Sequence, residues 1–301
     1  MKQPKRFIFC LVICLVFLIS ACASTPVVDD LGGEVELSGP AQKIISLSPS
    51  TTEILFSVGA GDRVIGRDSN SLYPDEVLVV QDLGGMWDGV PIEDILALQP
   101  DLILTGENIS PDTIKQLQDV GLAVYWQSNP KDFSELFDNI RDVAGLTGNL
   151  TEAEVLINSI QERIDFINTT LADVEETPLV FYELDATDPT NPFTAGAGTF
   201  ISYVISQAKG KNLGDVLESD WVQISSEELI KQNPDYILLA DAFFGVTTDS
   251  VEERAGWGDI KAVTSGNVIP FDPYILSIPG PRLIDGLEEV TKIIHPGLIN
   301  E

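Results

Sequence analysis

Cysteine, histidine and basic residues are all scarce in this chain of 301 residues. Its three cysteines, Cys10, Cys14 and Cys22, stand within the first 22 positions, so everything downstream lacks both a disulfide and a thiol nucleophile. The single histidine, His295, stands before Pro296 at the end of a helical pattern, where a cation suits the helix C-terminus on its own account. One histidine also excludes a bare zinc or manganese site built from several imidazoles. Nor is there a Gly-rich phosphate loop or an H-E-x-x-H pair, which leaves phosphoryl transfer and zinc hydrolysis without parts, and an enzyme is not expected. Seventeen Lys and Arg face 47 Asp and Glu, a formal charge of −30. Such a surface repels nucleic acid and anionic headgroups.

What is present begins with Met1-Lys-Gln-Pro-Lys-Arg6, an apolar run from Phe7 to Ile19, and Ser20-Ala21-Cys22. The run is shorter than the roughly 20 residues that span a bilayer, and a charged start, apolar middle and small-residue end make a secretory leader. The placement of Cys22 resembles a bacterial lipobox. Residues 1–21 are therefore expected to be cleaved, and Cys22 to carry lipid that anchors an extracytoplasmic protein to the membrane. Residues 22–40, acidic and without periodicity, are expected to form a tether.

Two later segments repeat. Trp87-Asp-Gly-Val-Pro-Ile-Glu93 through Pro100-Asp-Leu-Ile-Leu104 and Trp221-Val-Gln-Ile-Ser-Ser-Glu227 through Pro234-Asp-Tyr-Ile-Leu238 share Trp, Glu, Pro, Asp, Ile and Leu in register. The offset is too long for a solenoid repeat of roughly 20–50 residues, so two similar lobes are expected. Strand and helix patterns alternate around each copy, as in a doubly wound, mostly parallel sheet. Ser50-Thr-Thr-Glu53 and Thr151-Glu-Ala-Glu154 both read as capping boxes. The second heads a pattern with Leu156, Ile157, Ile160, Ile164, Ile167, Leu171 and Val174 at steps of three and four, free of Gly and Pro until Pro178. The expected fold is α/β, with two doubly wound lobes, residues 41–148 and 178–301, joined by one long α-helix over 149–177. A cleft between lobes is where a small ligand binds.

Ile44-Ile-Ser-Leu-Ser-Pro-Ser-Thr-Thr-Glu-Ile-Leu-Phe56, Gly59-Ala-Gly-Asp-Arg-Val-Ile-Gly66, Tyr73-Pro74, the two repeats, Asn191-Pro-Phe-Thr194 and Pro279-Gly-Pro-Arg282 together resemble the cobalamin and iron-siderophore periplasmic-binding family, the helical-backbone solute-binding proteins of ABC transporters. The resemblance covers residues 42–297. It implies a monomeric receptor that captures a metal chelate, has no cofactor of its own and no metal site, and delivers its ligand to an ABC permease with its ATPase. One surface glutamate per lobe meets arginines of the permease in that family, and Glu93 and Glu227 match those positions. The cobalamin branch lines its cleft with aromatics, to which Tyr73, Trp87, Phe193 and Trp221 correspond. Broad rings suit a flat macrocycle because they bury much area at little rotamer cost. A ferric siderophore calls instead for arginine, and Arg67 and Arg282 stand where the cleft should be, with Arg63 a weaker third. Haem would use a Tyr or His ligand, and Tyr73 and Tyr203 are available. A corrinoid is the ligand expected first, with a ferric siderophore or haem as the alternative.

Overall fold

The structure, a computed structural model, describes residues 27–217 and 219–299; Cys22 and the expected leader, residues 1–21, lie outside the described residues. It opens with a small antiparallel pair, β1 (Val27–Val28) and β2 (Glu34–Val35). The first lobe follows as β3 (Ile44–Ser46), α1 (Pro49–Ser57), β4 (Val64–Arg67), α2 (Ile92–Leu98), β5 (Leu102–Thr105), α3 (Pro111–Asp119), β6 (Val124–Trp126) and α4 (Phe133–Thr147). Next come α5 (Leu150–Thr170) and the second lobe: β7 (Leu179–Glu183), β8 (Phe193–Ala195), α6 (Phe200–Gln207), β9 (Lys211–Asn212), β10 (Trp221–Gln223), α7 (Ser226–Gln232), β11 (Tyr236–Leu239), α8 (Thr248–Glu252), α9 (Lys261–Thr264), β12 (Val268–Pro270) and α10 (Leu283–Ile294).

Each lobe carries a four-stranded parallel sheet, ordered β4-β3-β5-β6 in the first and β9-β7-β11-β12 in the second. Both orders are second, first, third, fourth, so the sequence repeat is a repeat of topology. Equivalent residues also do the same work. Gln99 and Asn233 end α2 and α7 in the left-handed conformation, at φ 53° and 52°. The following Asp101 and Asp235 then fasten the central strand. Asp101 accepts from the N–H groups of Gln42 and Lys43 at 2.8 and 3.0 Å, and Asp235 from that of Leu179 at 2.7 Å. The Pro-Asp pair thus satisfies orphan backbone donors at the bottom of each sheet.

One apolar cluster runs from Ile44, Leu102 and Leu104 of the first sheet, through Ala153, Ile157, Ile160, Ile164 and Ile167 of α5, to Val180, Leu238 and Leu287 of the second lobe. Ion pairs fix the helix at both flanks. Arg141 of α4 meets Glu154 at 2.7 Å, and Arg163 meets Asp285 and Glu288 of α10 at 2.6 and 2.7 Å. A connector packed continuously into both cores resists bending, because close-packed interiors have two arrangements or one rather than a continuum.

Three expectations change. The helix over 149–177 is shorter, 21 residues or about 32 Å; Thr169 and Thr170 turn their hydroxyls back to the carbonyls of Asp165 and Phe166, and a loop follows. From Val27 onward the stretch expected as a tether is folded. Asp29 and Val35 are buried, and Asp30 accepts from the Ser128 N–H and hydroxyl at 2.7 and 2.6 Å. Finally, neither capping box forms. The N-caps are Ser48 and Asn149, neither with a side-chain cap, and Glu53 and Glu154 reach Arg282 and Arg141 instead.

Candidate functional site

The carboxyl ends of the parallel strands in the two lobes face a shared cleft, the position where open α/β sheets bind ligands. Loops after β3, β4, β5 and β6 bring Ser48, Pro49, Ser50, Asp68, Asn70, Glu107, Asn108 and Asn129 to it, and the second lobe brings Phe200, Trp221, Ser277, Ile278 and Pro279. They enclose about 240 Å³ together with Met86 and Trp87. A second compartment of about 220 Å³, lined by Glu53, Leu72, Tyr73, Asp272, Tyr274 and Arg282, shares Pro49 and Ile278 with the first.

Trp87 sits in a single 3-10 turn, Met86–Asp88. Met86 is buried in the first lobe and anchors the turn, and Gly89 leaves it at φ 105°, a conformation that side chains rarely adopt. The indole is consequently 87% exposed. Trp221 begins β10, which pairs antiparallel with β8 so that Trp221 lies opposite Ala195. Gly196 makes this approach possible: a β-carbon there would lie 2.0 Å from the Ser219 carbonyl oxygen. The buried Phe200 ring backs the Trp221 indole edge-on at 5.9 Å, leaving Trp221 45% exposed toward the cleft.

Around the first turn of α1 the polar wall is a network of buried hydroxyls. Ser46 contacts Thr51 and Thr52 at 2.7 Å each, Thr52 contacts Ser71 at 2.8 Å, and Ser71 donates to Asp68. Burial raises the Asp68 carboxyl above its usual range, against the pull of its bonds from Ser71 and Asn70. Glu107 is exposed, and both of its oxygens accept from Asn129, from the backbone N–H at 3.0 Å and the side-chain amide at 2.7 Å. Among the described residues, no lysine, arginine or histidine lines this first compartment.

In the second compartment a contact crosses between lobes. Arg282, the N-cap of α10, donates to Glu53 of α1 through Nε at 3.1 Å and Nη2 at 2.5 Å, and its guanidinium lies 4.0 Å over the Tyr73 ring. Burial pushes the Glu53 carboxyl up to about 7, although the guanidinium acts in the opposite direction.

Of the residues singled out from the sequence, Trp87 and Trp221 share one compartment, and Tyr73 and Arg282 share the other. Phe193 and Arg67 line neither. Phe193 is opposite Gln223, two pairs further along the β8–β10 ribbon than Trp221, and faces solvent. Arg67 is 6% exposed, bonded to the Asp68 carbonyl at 3.0 Å and 3.4 Å from Asp82, so its charge is engaged inside the first lobe. Arg63 caps the carbonyls of Ala41 and Thr147, and Tyr203 meets Phe133 edge-on at 5.7 Å away from both compartments. His295 is buried against the Ala208 carbonyl at 2.9 Å. Glu93 and Glu227 occupy the first turns of α2 and α7, exposed, outside the cleft lining and in no ion pair among the described residues. Sequence reasoning missed Phe200, Glu107, Asn108, Asn129 and Tyr274. A signal existed, since each follows a strand end or opens a helix beside one, but loop residues of such types are common everywhere.

Comparison with known proteins gives this geometry its context. A family model described as periplasmic binding protein matches residues 44–275. An uncharacterised ABC transporter substrate-binding lipoprotein, YvrC, of Bacillus subtilis (strain 168) is 35% identical over 280 residues, covering 91% of this chain and 87% of that protein. Among solved structures, the periplasmic heme-binding protein RhuT from Roseiflexus sp. RS-1 in apo form superposes with a TM-score of 0.77 at 26% identity, covering 87% of this chain and 100% of the other. The periplasmic vitamin B12 binding protein BtuF of Vibrio cholerae does so with a TM-score of 0.73 at 26% identity, covering 85% and 97%. Two lobes of one topology, a packed helix between them and a cleft at the strand ends thus accompany a matched family of transport receptors rather than enzymes, and the chain belongs to the periplasmic binding protein family as the substrate-binding protein of an ABC importer.

Proposed function

We propose that this receptor captures a corrinoid between Trp87 and Trp221 and delivers it to its permease from outside the membrane, where lipid on Cys22 holds it. The observation that carries the ligand assignment is the first compartment itself: two indoles from opposite lobes, a third ring at Phe200, amide and hydroxyl groups, and no cation among the described lining residues. A corrin ring offers broad apolar faces to such rings, and its uncharged amide rim offers partners to Asn70, Asn108, Asn129 and the serines. The enclosed volume is below the 300–1,000 Å³ usual for ligand pockets, so a macrocycle would extend past Pro49 and Ile278 into the second compartment and out along Trp87. The similarity to a vitamin B12-binding protein supports this reading.

Haem or a ferric siderophore is the competing cargo, favoured by the similarity to a heme-binding protein and by the half-exposed Tyr73. Against it, Arg282 is already paired with Glu53. A thermal-shift panel of cyanocobalamin, dicyanocobinamide, haemin and a ferric hydroxamate tests the assignment. The corrinoids are expected to give the largest stabilisation, by mass action on the folded state; a larger shift with haemin or the hydroxamate refutes it.

Delivery rests on Glu93 and Glu227. Equivalent carboxylates, in no ion pair among the described residues, on two pseudo-symmetric lobes suit a permease of two subunits, each offering an arginine.

A further inference from the structure

We infer that Glu107 is the specificity-determining charge of the cleft: its carboxylate, fixed against Asn129 and without a cation beside it, admits ligands with a neutral, N–H-rich periphery and turns away polyanionic chelates. The inference rests on the inter-lobe cavity being the ligand site and goes beyond the choice of corrinoid by naming the group that makes the choice.

Three observations carry it. First, Glu107 lines the compartment of the two tryptophans, and both its oxygens accept from Asn129, at 3.0 and 2.7 Å, so moving it away from an incoming anion means giving up both bonds. Second, Asn129 is itself fixed. Its neighbour Ser128 donates twice to Asp30 in the N-terminal hairpin, at 2.7 and 2.6 Å, and accepts from the Asn139 side-chain amide at 3.1 Å. The folded hairpin, expected only as a tether, is thereby a buttress of the cleft wall. Third, the compartment's other carboxylate, Asp68, is buried among donors from Ser71 and Asn70 with the Arg67 guanidinium acting on it from within the lobe, whereas Glu107 is in no ion pair among the described residues and no described lysine, arginine or histidine lines the compartment.

A charge at the wall of a cleft acts on an incoming ligand more strongly than one on open surface because field lines are focused there, although Glu107 itself is exposed and partly screened by solvent. Its remaining lone pairs accept from amide N–H groups of a ligand rim. A ligand carboxylate in the same place meets repulsion with no counter-charge, and selection against the wrong ligand of this kind is how a site gains specificity without gaining affinity.

Glu107→Gln tests it, since glutamine keeps the shape and one acceptor for Asn129 while removing the charge. Haemin, with two propionates, and cyanocobalamin, without carboxylates, serve as probes by quenching of tryptophan fluorescence. Glu152→Gln, an exposed acid at the start of α5, controls for net charge. The expected result is haemin affinity raised about tenfold or more in Glu107→Gln, cyanocobalamin affinity within about threefold of wild type, and no change for either probe in Glu152→Gln. No gain for haemin, including no detectable binding in either protein, overturns the inference, as does an equal change for both probes or an equal gain in the control. Tighter haemin than cyanocobalamin binding by the wild type sinks the corrinoid reading alone, and the gain on removing the Glu107 charge still decides the inference.

Discussion

Replacing Trp87 with alanine should separate binding from folding more cleanly than any other change in the cleft. The indole is 87% exposed and held only by its own short turn. An aromatic side chain can bury roughly 150–250 Å², and a flat ligand lying on one face would cover about half of that. At roughly 25 cal/mol per Å² this amounts to about 2–3 kcal/mol, or a 30- to 150-fold rise in Kd. Because the ring buries little of itself in the unliganded protein, the thermal midpoint should stay within about 1 °C of wild type. Trp221→Ala should behave differently. Its ring is already half-covered and packed on Phe200, so binding should fall by about 1–2 kcal/mol and the midpoint should drop as well. Calorimetric titration with cyanocobalamin and a thermal scan of each variant read both quantities. If Trp87→Ala binds within twofold of wild type, the reasoning that places the ligand on this ring is wrong.

Two other outcomes are expected. Glu53, buried beside Arg282, ionises near 4.5 in the unfolded chain and at about 7 when folded; the folded state binds the extra proton in that window, so the stability this group contributes is full below pH 4.5 and lost as pH rises through 7. Glu53→Gln should accordingly gain on wild type by up to the order of 3 kcal/mol between pH 4.5 and 7.5 in denaturant titrations, and a pH-independent difference contradicts the assignment. Cys22→Ala should yield a protein without fatty acid by mass spectrometry and released from the membrane fraction; acylation of that variant disproves the lipobox.

The α/β class, the paired lobes and the strand-to-helix order were legible because they follow from local periodicity and from one long repeat. The repeat was even informative in detail, since Gln99 and Asn233 adopt the same left-handed cap before the same Pro-Asp. What stayed hidden depends on partners distant in sequence. Glu53 looked like the last letter of a capping box, yet its partner Arg282 lies 229 positions away. The segment around Asp29 and Asp30 looked like an unstructured acid run, because a strand of two residues has no periodicity to detect and its hold on Ser128 spans 98 positions. In the cleft, ring type identified Trp87 and Trp221, whose exposure follows from flanking turns. Phe193 has the right chemistry two pairs too far along the ribbon and Arg67 has it inside a lobe, and only pairing register and burial distinguish those cases. Glu107 and Asn129 were invisible for the opposite reason: single loop polar residues carry no pattern until the fold sets them together.

Reconstituted uptake asks the most direct question of a receptor said to capture and deliver a corrinoid. Liposomes carrying the cognate permease and ATPase are supplied with labelled cyanocobalamin and with this protein, either wild type or carrying Glu93→Ala and Glu227→Ala together. The account predicts ATP-dependent uptake that requires the wild-type receptor and is lost in the double variant, whose affinity for cyanocobalamin stays unchanged because neither glutamate lines the cleft. Uptake at the same rate with the double variant, or without any receptor, would contradict it.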